Sequence, residues 1–179
     1  MKGIIFTEFV EMVEEKYGYA IIDDIFESSD LPSGGIYTAV GTYKHQEMVQ
    51  LLNGLSQRTK IPVNDLLKAY GKHLFEVLFG AYPHLFEKIT TAFDLLEQID
   101  KHIHVEVQRL YPDAELPKFD IFKSSEKKLV MIYQSERKMS DFADGLIEAT
   151  LEHFHEKATV QIIMLEEDGS KVKFIISKE

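Results

Sequence analysis

The sequence predicts an α+β protein, and three observations carry that reading. Apolar residues recur at spacings of three and four through most of the first 110 positions, the period of a helix with one buried face. Alternation with period two, the mark of a half-buried strand, is confined to the last third, near residues 118–123, 129–137, 159–165 and 171–176. A single helical stretch, from Ser140 or Asp141 to about Glu156, interrupts those strands. Helices first and strands later imply an N-terminal helical lobe joined to a C-terminal lobe with helices and a four-stranded antiparallel sheet.

Length and charge narrow the function. A chain of 179 residues suits one domain, with a helical lobe over about residues 1–62 and the sheet-bearing lobe over about 63–179. Hydrophobic residues make up 45%, enough to bury a proper core. The formal charge of −10 is a poor match for a phosphate backbone or an anionic membrane surface, so neither nucleic acid nor membrane is an expected partner. There is no cysteine, which removes disulfides, Fe–S clusters, thiolate ligands and thiol nucleophiles. No apolar run approaches the ~20 residues of a membrane span. The start, MKGIIFTEFVEMVEE, turns acidic too early for a signal peptide, so the expected location is the cytoplasm.

Taken in order, Ile5, Phe6, Phe9, Val10, Val13 and Tyr17 form the stripe of a first helix, Lys2–Tyr17, stopped at Gly18. A short helix, about Ala20–Glu27, runs into the breakers SSDLPSGG, and residues 36–43 read as loop. Helical spacing returns over Lys44–Arg58. Pro62 then opens a helix over about Val63–Phe79, with Asp65 near its positive end. Leu66, Leu67, Tyr70, Leu74, Phe75 and Leu78 make that helix apolar on most sides, as in a helix that is buried or lines a cavity. A long helix is expected over Thr90–Leu110, ended by Tyr111-Pro112, and EEDGS turns between the last two strands.

Two stretches carry chemistry. The first is Leu129–Arg137, LVMIYQSER. Read as a strand, it puts Leu129, Met131, Tyr133, Ser135 and Arg137 on one face. The lower half is apolar, and the upper half offers a phenol, a hydroxyl and a guanidinium. Such a face suits a molecule with an apolar body and a carboxylate tail. The second stretch holds His102 and His104 on the long helix. At roughly 100° per residue, His104 shares a shoulder with Phe93, Asp100, Val107 and Tyr111, where an imidazole can ligate a flat apolar cofactor. His102 falls on the opposite shoulder.

With those residues in view, the chain resembles the H-NOX family, the haem-nitric oxide/oxygen-binding domain also found at the N-terminus of the soluble guanylate cyclase beta subunit. The match rests on the start MKGIIF, the His of HVEVQRLYP seven residues before Tyr-Pro, YQSER as YxSxR, and the ADGLIEA helix that follows. It runs end to end. The resemblance implies haem b (iron protoporphyrin IX), with His104 as the only protein ligand to iron and with Tyr133, Ser135 and Arg137 on the propionates. Haem has mostly apolar edges, so Ile5, Phe9, Leu74, Leu78, Pro117, Phe142 and Leu146 are the expected walls.

The resemblance also bears on the gas. Oxygen-binding relatives place a distal Tyr in the helix after YxSxR. The matching position here is Phe142, and the positions that support such a Tyr match Phe9 and Leu74, none with a donor. Nitric oxide (and CO) are therefore the expected ligands, with O2 disfavoured. Tyr70 could in principle swing in as a donor. In the family NO weakens or breaks the iron–histidine bond and the lobes shift. Stand-alone members pair with histidine kinases or with cyclic-di-GMP synthases and phosphodiesterases.

The residues admit other readings. A haem-free carrier or adaptor for an amphipathic anion would use the same face. A haem enzyme such as a peroxidase would need a distal His–Arg pair, and none is found. His153 and His155 fit a helix C-terminus better than a metal site. No catalytic constellation is expected.

Overall fold

The computed structural model describes all 179 residues and has seven helices and one four-stranded sheet. The N-terminal part is helical: α1 (Ile4–Tyr17), α2 (Tyr19–Ser28), α3 (His45–Thr59) and α4 (Val63–Ala81). Gly18, with φ of 90°, lets α1 turn straight into α2, a conformation that strains any side chain with a Cβ. Phe6, Phe9, Met12, Ile25, Leu51 and Leu55 build the core these helices share. Leu66, Leu67, Tyr70 and Leu74 of α4 pack into that same core. A boundary near residue 62 therefore runs through a core, because α4 buries two of its sides.

The loop expected over 36–43 is closely held. Lys2 pairs with Thr42 as an isolated antiparallel bridge, and Tyr37 stacks on Phe6 with ring centroids 4.6 Å apart. The buried Glu47 accepts hydrogen bonds from Ser33 Oγ at 2.5 Å and from Tyr37 Oη at 3.1 Å. A buried carboxylate needs such donors to offset its lost hydration.

After α4 come a 3₁₀ turn (Pro83–Leu85), α5 (Ala92–Glu97), a π-helical turn (Ile99–Ile103) and α6 (His104–Leu110). The expected single helix over Thr90–Leu110 is thus broken. The amide of Ile103 reaches back five residues to the carbonyl of Gln98, at 3.1 Å. The wider turn shifts everything beyond it around the axis relative to α5. Phe93, expected on the His104 shoulder, is buried instead against the sheet with Leu96.

The sheet has order β1-β2-β4-β3, antiparallel throughout, from β1 (Lys118–Ser125), β2 (Lys128–Gln134), β3 (Ala158–Met164) and β4 (Lys171–Lys178), with α7 (Ser140–His153) between β2 and β3. Leu129, Met131 and Tyr133 face inward opposite Ile176, Phe174 and Val172, under Ala143, Ile147 and Leu151 of α7. The strand expected to run to Arg137 stops at Gln134. The last β4 partner is Lys171, and the Ser135 amide bonds the Ser170 carbonyl before the chain turns through Lys138 at φ 56°. Neither Ser140 nor Asp141 caps α7 by a side chain. The Met139 amide donates to Tyr133 Oη at 3.1 Å instead.

Candidate functional site

A cavity of about 280 Å³ opens where α4, α6, α7, β2 and the α6–β1 loop meet. Its walls are largely apolar: Ile5 from α1, Leu74 and Leu78 from α4, Pro117 from the loop, Phe142 and Leu146 from α7. Phe142 and Leu146, expected as walls, keep some accessible surface because they face this space. Ligand sites are typically cavities of this kind, apolar with a few placed polar groups.

Phe9 is not among the walls. It is fully buried in the helical core, edge-on to Tyr70 with ring centroids 5.3 Å apart. Tyr70 stands between Phe9 and Phe142, and its hydroxyl donates to the Ile5 carbonyl at 2.5 Å. Tyr70 is fully buried, and burial pushes its phenol well above the usual value.

His104 lies on the cavity wall as the first residue of α6. Its Nδ1 is 2.6 Å from Oδ1 of Asp100, and Oδ2 of Asp100 accepts the Phe119 amide at 2.7 Å. One carboxylate therefore ties the imidazole to the start of β1. Burial holds the His104 pKa below its ordinary value, against an opposing pull from Asp100. A neutral imidazole with Nδ1 engaged keeps Nε2 as a free lone pair, the form that ligates metals. No group of three or more His, Cys, Asp or Glu side chains gathers anywhere as a metal cage. His153 packs against Phe79 instead, with ring centroids 4.0 Å apart.

Tyr133, Ser135 and Arg137 line the same cavity, although only Tyr133 lies in the strand. The turn after β2, not the pleat, brings the other two alongside. Burial raises the Tyr133 phenol, so it stays a neutral donor. Arg137 donates from Nη1 to the Glu115 carbonyl at 2.6 Å and from Nη2 to the Glu115 carboxylate at 3.0 Å. Phe119 stands between the two polar ends, 6.1 Å from His104 and 5.6 Å from Tyr133 by ring centroids. Sequence reasoning overlooked Phe119 and Glu115. Asp100 was read only as a neighbour of His104, although the four-residue spacing was the signal.

The Haem-NO-binding family model matches residues 2–162. The chain belongs to the H-NOX family. Among solved structures, the unliganded Fe(II) H-NOX protein from K. algicida shares 46% identity with this H-NOX chain, with a TM-score of 0.96 over 100% of this chain and 97% of that one. The H-NOX from Shewanella woodyi, in the Fe(II)CO state, shares 39% identity at a TM-score of 0.85, covering 100% and 95%. The H-NOX protein from S. oneidensis in the Fe(II)NO state shares 26% at 0.90, covering 100% and 99%. No curated protein matches the chain. The α+β class and the four-stranded antiparallel sheet read from the sequence agree with these structures.

Haem is the cofactor of the H-NOX family, and the residues present fit it. The walls are apolar, one imidazole nitrogen is left for a metal, and the far end holds a phenol, a hydroxyl and a guanidinium. The Glu115 carboxylate on Arg137 shows that the guanidinium is placed to take a carboxylate there. The chain is a haem-binding gas-sensor domain, and no helix in it is long and apolar enough to cross a membrane.

Proposed function

We propose that residues 1–179 act as one nitric oxide sensing unit in the cytoplasm, with His104 as the sole protein ligand of the iron and Tyr133, Ser135 and Arg137 on the haem carboxylates. Bound there, ferrous haem supplies the centre at which a diatomic gas binds. The observation that carries the choice of gas is the commitment of Tyr70. Its hydroxyl is held by the Ile5 carbonyl at 2.5 Å, and Phe142 and Leu74 offer no donor. Tyr82 and Tyr111 also reach the lining, from the ends of α4 and α6. Bound O2 gains from a hydrogen bond in a dry pocket, a charge-assisted contact worth more than the net ~1 kcal/mol of an ordinary one. NO binds ferrous haem strongly without it. The NO-ligated relative from S. oneidensis supports the same ligand here.

The output rests on how His104 is mounted. It begins a helix of seven residues hinged on the π turn and tied to β1 through Asp100. NO binding would weaken the hold of His104 on the cofactor, and α6 would then relax about the π turn and let the lobes shift. A ligand that favours one of two arrangements shifts the population toward it. The recipient is a separate signalling protein, a histidine kinase or a cyclic-di-GMP synthase or phosphodiesterase.

Absorption spectra of the reduced protein test this reading. A Soret band that moves on NO and CO but not in air, and that is lost in His104→Ala, is the expected result. A stable oxygenated spectrum in air would overturn the choice of gas. His104→Gly without imidazole should act on the partner as NO-bound wild type does; behaviour like the unliganded protein would refute the release mechanism.

A further inference from the structure

Both terminal nitrogens of the Arg137 guanidinium donate to a single residue. Nη1 donates to the main-chain carbonyl of Glu115, and Nη2 donates to its side-chain carboxylate. The two halves of this contact differ in freedom. Arg137 is only 15% exposed, whereas the Glu115 side chain is 86% exposed. The backbone beneath it is pinned. Asp113 bonds Lys2 Nζ at 3.0 Å and Thr42 Oγ1 at 2.7 Å, and Ala114 is buried with its amide on the Tyr111 carbonyl at 2.9 Å. Pro117 restricts the chain on the other side.

We infer that the Glu115 carboxylate is an exchangeable stand-in for a haem carboxylate, holding Nη2 of Arg137 until the cofactor displaces it, while the Glu115 carbonyl keeps Nη1 and so keeps the guanidinium aimed. This rests on the haem reading of the cavity and deepens it. The chemistry is one carboxylate replacing another at the same donor, with the outgoing one swinging into water. Both groups are anions, so Glu115 competes with the incoming ligand twice, for the hydrogen bond and through like charge. The competition is specific to a charged ligand. A porphyrin diester offers Nη2 only a neutral, weaker acceptor that cannot displace the Glu115 carboxylate.

Titration of haem-free protein with iron protoporphyrin and with its dimethyl ester, read by the Soret band, separates these effects. Glu115→Gln and Glu115→Ala should each bind iron protoporphyrin about two- to fivefold more tightly than wild type, the scale of an exposed ion pair. Affinity for the dimethyl ester should be the same in all three. Weaker binding of iron protoporphyrin by both variants would overturn the inference, because Glu115 would then support Arg137 instead of competing for it. Equal affinity, or an equal gain with the ester, would overturn it as well. Wild-type protein that takes up neither porphyrin would bring down the haem reading itself, and this inference with it.

Discussion

Gly71 of α4 and Gly145 of α7 meet with only backbone between them. A Cβ on Gly71 would lie 2.3 Å from the Phe142 carbonyl oxygen and 3.1 Å from the Cα of Gly145. One on Gly145 would lie 2.1 Å from the Lys68 carbonyl oxygen. This approach sets how far apart Leu74 and Phe142 stand across the cavity. Alanine is the better helix former by ~0.5–1 kcal/mol, but overpacking against a backbone that cannot swing aside costs ~1–3 kcal/mol. Gly71→Ala and Gly145→Ala should therefore each lower the melting temperature, and a rise in either would show that the helices part easily.

Tyr70 should prove an anchor and not a gas-sensing donor. Tyr70→Phe removes its bond to the Ile5 carbonyl, which keeps its place in the α1 ladder, a loss of ~0.5–1.5 kcal/mol. Denaturant unfolding should register that loss, while NO and O2 behaviour stays as in wild type. A change of gas preference in Tyr70→Phe would contradict the assignment.

Phe142→Tyr should have the opposite profile. The side chain lines the cavity, 5.1 Å from the Tyr70 ring by centroids. A phenol there would place a donor at a wall position where the wild type has none. The variant should gain measurable O2 affinity in a ferrous binding titration, with its stability changed little.

Acid should loosen the α4–α7 crossing. Glu148 bridges Lys68 at 2.6 Å and Lys72 at 3.0 Å. Partial burial would raise its pKa, but the two ammonium groups outweigh burial and leave it below the ordinary 4.5. A carboxylate depressed in the folded state contributes stability in full above its unfolded pKa. That contribution is lost as pH falls through the folded value. Glu148→Gln should flatten the loss of stability below 4.5 and cost under ~1 kcal/mol at neutral pH, since the group is partly solvated. Unfolding midpoints across that range, for wild type and variant, decide it.

Much of this molecule was legible in the chain, and the failures share a cause. Helix and strand periods located α1 to α4, α7 and the four strands to within a few residues because burial imposes them. His104, Tyr133, Ser135 and Arg137 were singled out by residue type, and they share one cavity. The pleat argument for Ser135 and Arg137 failed because β2 runs out of partner at Lys171, a fact about β4 and not about β2. Phe9 was misplaced because a resemblance gives a position, not the depth at which Tyr70 screens it. IDKHI holds no breaker, so nothing local announces a π turn. The contact of Asp100 with Phe119 is long-range, so no local pattern shows it.

That π turn has a consequence for how the protein can vary. Such a turn is what an α-helix becomes when it absorbs one surplus residue. Deleting a single residue between Ile99 and Ile103 would restore an unbroken helix from Ala92 to Leu110 and swing every later side chain by roughly 100°. The imidazole would then point away from the cavity. A loss of length there, with Asp100 and His104 both retained, should silence the sensor.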